Sequence, residues 1–320
     1  MKLRIALTIF IIMSLPGLLL SAGCDSAEKR EKISLEDRVT EAELNALTRQ
    51  NGAGVLWFGF DLRSSPQEDA RQYLPLLKYL SDATGYRFEL SFIPRGESIV
   101  DTLGAGKVQF AAVGADTYLQ ARGKYGVIPL VRGLNAEGKA EYRSVIVVKP
   151  GSSIRAINDL RDNRFAFGNV NSTQGHLIPR IALAMNGITL KDLRAYYYTG
   201  SHRNCANAVL SGRFDACGMQ DTMGMELSNA GLLRIIYTSK YYPSSGVAAN
   251  KQVQREIMAK VRQALLDFDP LGSHAAGLYH WDKTEMPRGF TAANDSDYAE
   301  LREWAGQLGY FSDAKYEVVQ

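Results

Sequence analysis

From Val55 onward, short apolar runs alternate with helical patterns, and this alternation constrains the fold more than any other feature of the chain. Val55 to Phe60 is apolar and aromatic over the length of a buried strand. Ser64-Ser65-Pro66 follows, and proline suits the first turn of a helix. That helix carries Tyr73, Leu74, Leu76, Leu77 and Leu80 at helical spacing, and Gly85 ends it. Arg87 to Ile93 reads as a strand, Glu97 to Leu103 as a helix, Val108 to Val113 as a strand, and Thr117 to Arg122 opens another helix. A β-branched strand runs from Ser144 to Lys149. Further strands are predicted over Arg164–Phe167, Arg194–Tyr198, Phe214–Met219 and Leu232–Tyr237, with helices starting at Ile157 and spanning Ile178–Asn186 and Cys205–Leu210. From about Gln252 the pattern is mainly helical, with Trp281 and Trp304 as packing residues. Such alternation predicts an α/β fold of mixed, mostly parallel sheets flanked by helices.

Two stretches are alike. Leu103-Gly-Ala-Gly-Lys-Val-Gln-Phe-Ala111 and Leu210-Ser-Gly-Arg-Phe-Asp-Ala216 each join a helix end, a glycine, a cation and a strand with alanine. Their spacing, about 100 residues, is too long for a solenoid repeat and fits two similar lobes. The first lobe is expected over 54–143, the second over 144–238, and a return to the first with C-terminal helices over 239–320. Two crossings between lobes imply a hinge near Tyr142 and Ser239, and a cleft beyond the strand ends where ligands bind.

The start of the chain reads as an export signal over 1–23: Lys2 and Arg4, an apolar run from Ile5 to Leu20, then small residues. The run is shorter and more interrupted than a spanning helix of about 20 apolar residues. Leu20-Ser-Ala-Gly-Cys24 resembles a bacterial lipobox, with the aliphatic residue one place early. Lipid on Cys24 would hold the protein at the cell membrane, with 24–53 as a tether and a short helix capped at Ser34. Removing Lys2 and Arg4 from the 37 cations leaves 35 against 34 acids, a balance unlike the basic excess of nucleic-acid surfaces. In an exported protein Cys205 and Cys217 are either bridged or two small buried thiols.

The chemistry concentrates at Phe167-Gly-Asn-Val-Asn-Ser172-Thr173-Gln174-Gly175-His176. A strand ends at Phe167 and a helix begins near Gln174. The first amides of a helix lack internal partners, and the helix dipole is positive there. With the hydroxyls of Ser172 and Thr173 added, this is a seat for an anion, although the residues alone serve equally for N-capping. Gly200-Ser201-His202 offers a histidine donor at another helix start, and Tyr142 a phenol at the hinge.

Together these residues resemble the phosphate/phosphite/phosphonate-binding family of periplasmic solute-binding proteins, over about Val55 to Asp269. The family's Ser-Thr-Ser-Gly-like helix start reads Ser172-Thr173-Gln174-Gly175, followed by Pro179. Its anion-contacting histidine falls on His202 and its hinge tyrosine on Tyr142, just before Ser144-Val145. The resemblance implies a two-lobed periplasmic binding protein fold of type II. It also implies that these groups converge on the oxygens of a phosphonate-like ligand, each bond to the anion contributing about 1.5–3 kcal/mol. Gln174 replaces a third hydroxyl, Gly96 stands for a tyrosine of the first lobe, and Ser245 for an acid that receives a ligand amine. Asp221 is an acid about one place off its own counterpart in the family, while Arg95, Ser64 and Ser65 are candidate ligand contacts from the first lobe.

An enzyme would need a nucleophile or a metal. The sequence has no G-x-S-x-G, H-E-x-x-H or C-x-x-C, and His274 and His280 near Asp282 do not share a helix face. The expectation is a monomeric, lipid-anchored, extracytoplasmic binding protein without a cofactor or catalysis. It takes a small phosphorus oxyanion to an ABC permease. A sensor that presents its closed form to a membrane kinase is the alternative, and an enzyme acting on a phosphonate or phosphate ester is a more remote one.

Overall fold

The computed structural model describes residues 54–61, 65–93 and 97–311. The signal over 1–23, the tether over 24–53, Cys24, Ser64, Arg95 and Gly96 lie outside the described residues. Strand β1 (Val55–Phe60) leads to helix α1 (Pro66–Thr84), then β2 (Arg87–Leu90), α2 (Ile99–Gly104), β3 (Phe110–Val113), α3 (Ala115–Tyr125) and β4 (Ile128–Gly133). The short β5 (Glu141–Tyr142) precedes β6 (Ser144–Val148), β7 (Arg164–Phe167), α4 (Ile178–Met185), β8 (Ala195–Tyr198), α5 (His202–Leu210), β9 (Ala216–Gln220), α6 (Asp221–Asn229) and β10 (Arg234–Thr238). After β11 (Tyr242–Pro243) and β12 (Gly246–Ala249) come α7 (Arg255–Leu266), β13 (Phe290–Ala292) and α8 (Ala299–Gln307).

Local chemistry fixes the first helix. Ser65 caps α1 by accepting from the Glu68 amide, Pro66 opens it, and Gly85 closes it in the left-handed region at φ 74°. Tyr73, Leu76, Leu77 and Leu80 form its buried stripe.

The strands form two mixed sheets. The first has the order β13-β4-β12-β3-β1-β2, the second β10-β6-β9-β7-β8. In the first, β1 pairs parallel with β2 and β3, while β12 and β13 add antiparallel neighbours. In the second, β7 pairs parallel with β8 and β9, while β6 and β10 run antiparallel. The antiparallel members β6 and β12 are the strands that enter each sheet from the crossing, where β5 and β11 pair with each other at Tyr142 and Tyr242. Strands β4, β12 and β13 escape the sequence reading, and the chain after Gln252 is less helical than the pattern suggests. The small β12 is squeezed between β3 and β4: a Cβ on Gly246 would meet the Val131 carbonyl at 1.9 Å. Its composition of glycine, valine and alanine carries little strand signal.

One apolar cluster crosses between the sheets. Leu177, Ile178 and Ile181 from the second lobe pack with Tyr118, Leu119, Tyr298, Leu301 and Tyr310. The last three belong to the C-terminal segment, so this segment bridges both lobes. Cys205 and Cys217 are bridged, with Cα atoms 5.8 Å apart, tying the first turn of α5 to β9. For a separation of 12 residues the link contributes about 3 kcal/mol.

Candidate functional site

The turn after β7 is built by its own backbone. Gly168 donates to the Gly175 carbonyl at 2.8 Å, and Ser172 donates to the Asn169 carbonyl at 3.0 Å. The first turn, Thr173–Leu177, is a π-turn in which His176 and Leu177 both donate to the Ser172 carbonyl. Pro179 explains the widening. It has no N–H for the Gly175 carbonyl, which accepts from Gly168 instead. The Ser172 hydroxyl accepts from the Gly175 amide at 2.9 Å. The Thr173 and Gln174 amides precede the first intrahelical bond, so the turn itself supplies no acceptor for them.

A second helix start faces this one. At the start of α3, three successive amides are received by oxygens from elsewhere: the N-cap Gly114 N–H by Asp61 Oδ2 at 2.8 Å, Ala115 N–H by the Tyr142 hydroxyl at 3.5 Å, and Asp116 N–H by Thr173 Oγ1 at 2.9 Å. The last bond joins the lobes directly, and Thr173 is 5% exposed as a result. A hydroxyl that accepts an N–H retains its own proton. Capping and anion donation by Ser172 and Thr173 are therefore compatible rather than competing roles.

His202 opens α5 against the same turn. Its Nδ1 accepts from the Gln220 amide at 3.4 Å. A Cβ on Gly175 would meet both His202 Cε1 and Ser172 Oγ at 3.0 Å, so glycine is what lets the imidazole and the hydroxyl approach the turn. Ser172, Thr173, His202 and Tyr142 are thus brought together. Three other candidates are engaged elsewhere. The Gln174 side-chain amide donates to the Arg143 carbonyl at 2.9 Å, holding the turn to the hinge. Asp221 accepts from Arg143 at 3.2 Å, and burial raises its pKa against that pairing. Ser65 is exposed, and its hydroxyl caps α1. Among the described residues no cluster of histidine, cysteine and acids could hold a metal ion.

Sequence reasoning missed Asp61, the start of α3 and Tyr310. Phe110-Ala-Ala-Val-Gly114 does repeat the strand-then-glycine pattern of Phe165-Ala-Phe-Gly168, which is the signal that could have found α3. Tyr310 carried none, since it depends on packing across more than 100 residues. Its hydroxyl lies 3.1 Å from Asp116 Oδ2, 3.0 Å from the Val170 carbonyl and 2.9 Å from His176 Nδ1. His176 Nδ1 is 2.6 Å from the Val170 carbonyl and Nε2 is 3.0 Å from the Tyr198 hydroxyl. The shortest contact assigns the ring proton to Nδ1, so Nε2 accepts from Tyr198 and Tyr310 donates to Asp116.

Burial sets the charge states of this network. It pushes the Asp116 carboxyl up to about 7, with the Asp61 charge adding and bonds from Gln120 and Tyr310 opposing. It pushes the His176 imidazole down to about 3, with Arg180 adding and the Val170 bond opposing. Unfolded Asp116 ionises near 3.8, so its burial makes stability fall as pH rises from about 4 to about 7. Unfolded His176 protonates near 6.5, so its burial makes stability fall as pH drops from about 6.5 to about 3. Between about pH 4 and 6.5 the two slopes, each about 1.4 kcal/mol per pH unit, cancel. Urea unfolding across that window is expected to give a rising trend with pH for Asp116→Asn and a falling one for His176→Gln, relative to the parent. Parallel profiles for all three proteins would contradict these charge states.

Comparisons with known proteins give the family of the chain. Residues 58–298 match the family model described as "ABC transporter, phosphonate, periplasmic substrate-binding protein". The chain is 24% identical over 262 residues to the phosphonates-binding periplasmic protein of Escherichia coli (strain K12), covering 78% of this chain and 76% of that one. It is 26% identical over 306 residues to the phosphate-import protein PhnD of Mycolicibacterium smegmatis, covering 89% and 91%. The solved structure of PhnD1 from Prochlorococcus marinus (MIT 9301) with methylphosphonate superposes with a TM-score of 0.68 at 19% identity, covering 80% of this chain and 98% of that one. The fold is that of the two-lobed type II periplasmic binding proteins. With the family model spanning both sheets and the crossing between them, the chain belongs to the phosphonate-binding family of periplasmic substrate-binding proteins of ABC transporters.

Proposed function

We propose that this protein captures a small phosphorus oxyanion, whether a phosphonate, phosphite or phosphate, in the cleft between its lobes and delivers it to an ABC permease. The observation that carries the reading is the meeting of two helix starts, joined by the bond from Asp116 N–H to Thr173 Oγ1. Around that bond the hydroxyls of Ser172, Thr173 and Tyr142, the imidazole of His202 and the Thr173 and Gln174 amides act as donors to the ligand. The lobes shut because a ligand touching both gains contacts that the open form lacks. Arg95 and Ser64 are further donors from the first lobe. Lipid on Cys24 keeps a monomer at the extracytoplasmic face of the membrane, beside its permease, and the protein binds without catalysis.

A bound ligand raises stability by RT ln(1 + [L]/Kd). Thermal unfolding with phosphite, phosphate, methylphosphonate, aminoethylphosphonate, sulfate and acetate tests the reading. At least one phosphorus anion is expected to raise the midpoint of the parent and to do so far less for His202→Ala. A panel without any phosphorus-dependent shift, or equal shifts in the two proteins, would remove the reading.

A further inference from the structure

The wall that the first lobe presents to the cleft is not uniformly a donor surface. Asp61 follows β1 directly, Gly114 follows β3, and Ser245 precedes β12. These strands are neighbours in the sheet, with Phe60 opposite Ala112 and Gly246 opposite Val113. The three residues therefore sit side by side at one end of these interior strands, and Thr173 reaches them from the other lobe. A Cβ on Gly114 would lie 3.5 Å from Thr173 Oγ1, 3.6 Å from Asp61 Oδ2 and 4.0 Å from Ser245 Oγ. Three side-chain oxygens from three separate segments thus surround the open face of Gly114, and no side chain of its own screens them from a ligand. The bonds that hold Asp61 in place include one from its amide to the Ala112 carbonyl at 3.0 Å and one from the Gly114 amide to its Oδ2 at 2.8 Å. The Ser245 hydroxyl donates to Glu285 Oε2.

A carboxylate beside an anion seat is a demand on the ligand. It can only accept, so an oxygen placed next to it must bring a hydrogen or be repelled. Phosphorus oxyanions retain an acidic hydroxyl near neutral pH, whereas sulfate and sulfonates of the same shape do not. We infer that Asp61 is the specificity-determining residue of the cleft, accepting a hydrogen bond from an acidic P–OH of the ligand and so rejecting sulfur oxyanions. This rests on the reading that the cleft binds a phosphorus oxyanion and says which protonation form it takes. Rejection works because a site that pairs its polar groups with one ligand leaves them unpaired, or opposed, with another.

The test compares methylphosphonate with methylsulfonate, which differ at the hydroxyl and little else, by calorimetric titration of the parent and of Asp61→Asn. Asparagine keeps an oxygen for the Gly114 amide and turns the other contact into a donor. The parent is expected to prefer methylphosphonate, and the variant to lose that preference by about tenfold or more, mainly by gaining affinity for the sulfonate. A change in the ratio under threefold overturns the inference, as does a parent that binds the two equally; the parent measurement stands even if the variant does not fold. Aminoethylphosphonate forms a third arm. If Asp61→Asn weakens that ligand alone and leaves the methylphosphonate-to-methylsulfonate ratio intact, the carboxylate serves an ammonium group and the inference fails. A parent that binds no phosphorus anion instead brings down the functional reading itself, which separates the two failures.

Discussion

Tyr310→Ala is expected to cost about 3–5 kcal/mol of stability and to weaken ligand binding, although position 310 lies more than 100 residues in sequence from the turn after β7. The ring is 2% exposed and belongs to the apolar cluster shared by the two lobes. Its hydroxyl touches Asp116 of one lobe and Val170 and His176 of the other. One turn earlier the Leu308 carbonyl accepts from Arg180 at 3.2 Å, and the Arg180 guanidinium lies over the Tyr310 ring at 5.7 Å. Truncation therefore removes packing on both sides of the cleft and frees the two elements that carry the helix starts. Tyr310→Phe separates the two contributions. It keeps the packing and loses only the hydroxyl bonds, for about 1–3 kcal/mol. Urea unfolding of the three proteins, with and without a phosphorus anion, reads both effects. A Tyr310→Ala midpoint close to that of the parent would mean that the C-terminal segment does not hold the lobes together.

The parts of this molecule that were legible in its sequence are those determined locally. The strand ending at Phe167, the cap at Ser172 and the proline at 179 lie within one short stretch, and each has a physical meaning on its own. His202 and Tyr142 were reached through resemblance to a family, since a histidine after a helix cap and a tyrosine before a strand are common in any protein. What escaped is what depends on tertiary pairing. Strand β12 exists because β3 and β4 flank it, not because Gly246-Val-Ala-Ala249 favours a strand. Asp61 reads as the end of an aromatic run, and only the pairing of β1 with β3 sets it beside Gly114. Asp116 reads as an ordinary acid in the first turn of a helix, where it suits the dipole. Its complete burial and its bond to Tyr310 depend on the C-terminal segment, which returns to α3 from the far end of the chain. Cys205 and Cys217 gave two open possibilities, which only the position of α5 on β9 resolves.

The second large effect is expected from Ser172→Ala combined with Thr173→Ala. Each hydroxyl accepts a helix-start amide and, in the proposed function, gives its own proton to the ligand, so the pair removes two donors while leaving the backbone amides in place. Two bonds to an anion at about 1.5–3 kcal/mol each correspond to a loss of about 100-fold or more in affinity. Stability also falls, by about 2–4 kcal/mol, through the lost cap and the stranded Asp116 amide. Thr189→Ala provides the control for that part. Thr189 bonds Asp192 at the start of a short exposed helix, so its loss costs stability without touching the cleft. Calorimetric titration of the phosphorus anion that most raises the parent's midpoint into the parent, the double variant and Thr189→Ala tests the account most directly. The account predicts tight binding by the parent and by Thr189→Ala, and at least a hundredfold weaker binding, about 2.7 kcal/mol, by the double variant. Affinity of the double variant within threefold of the parent would contradict it.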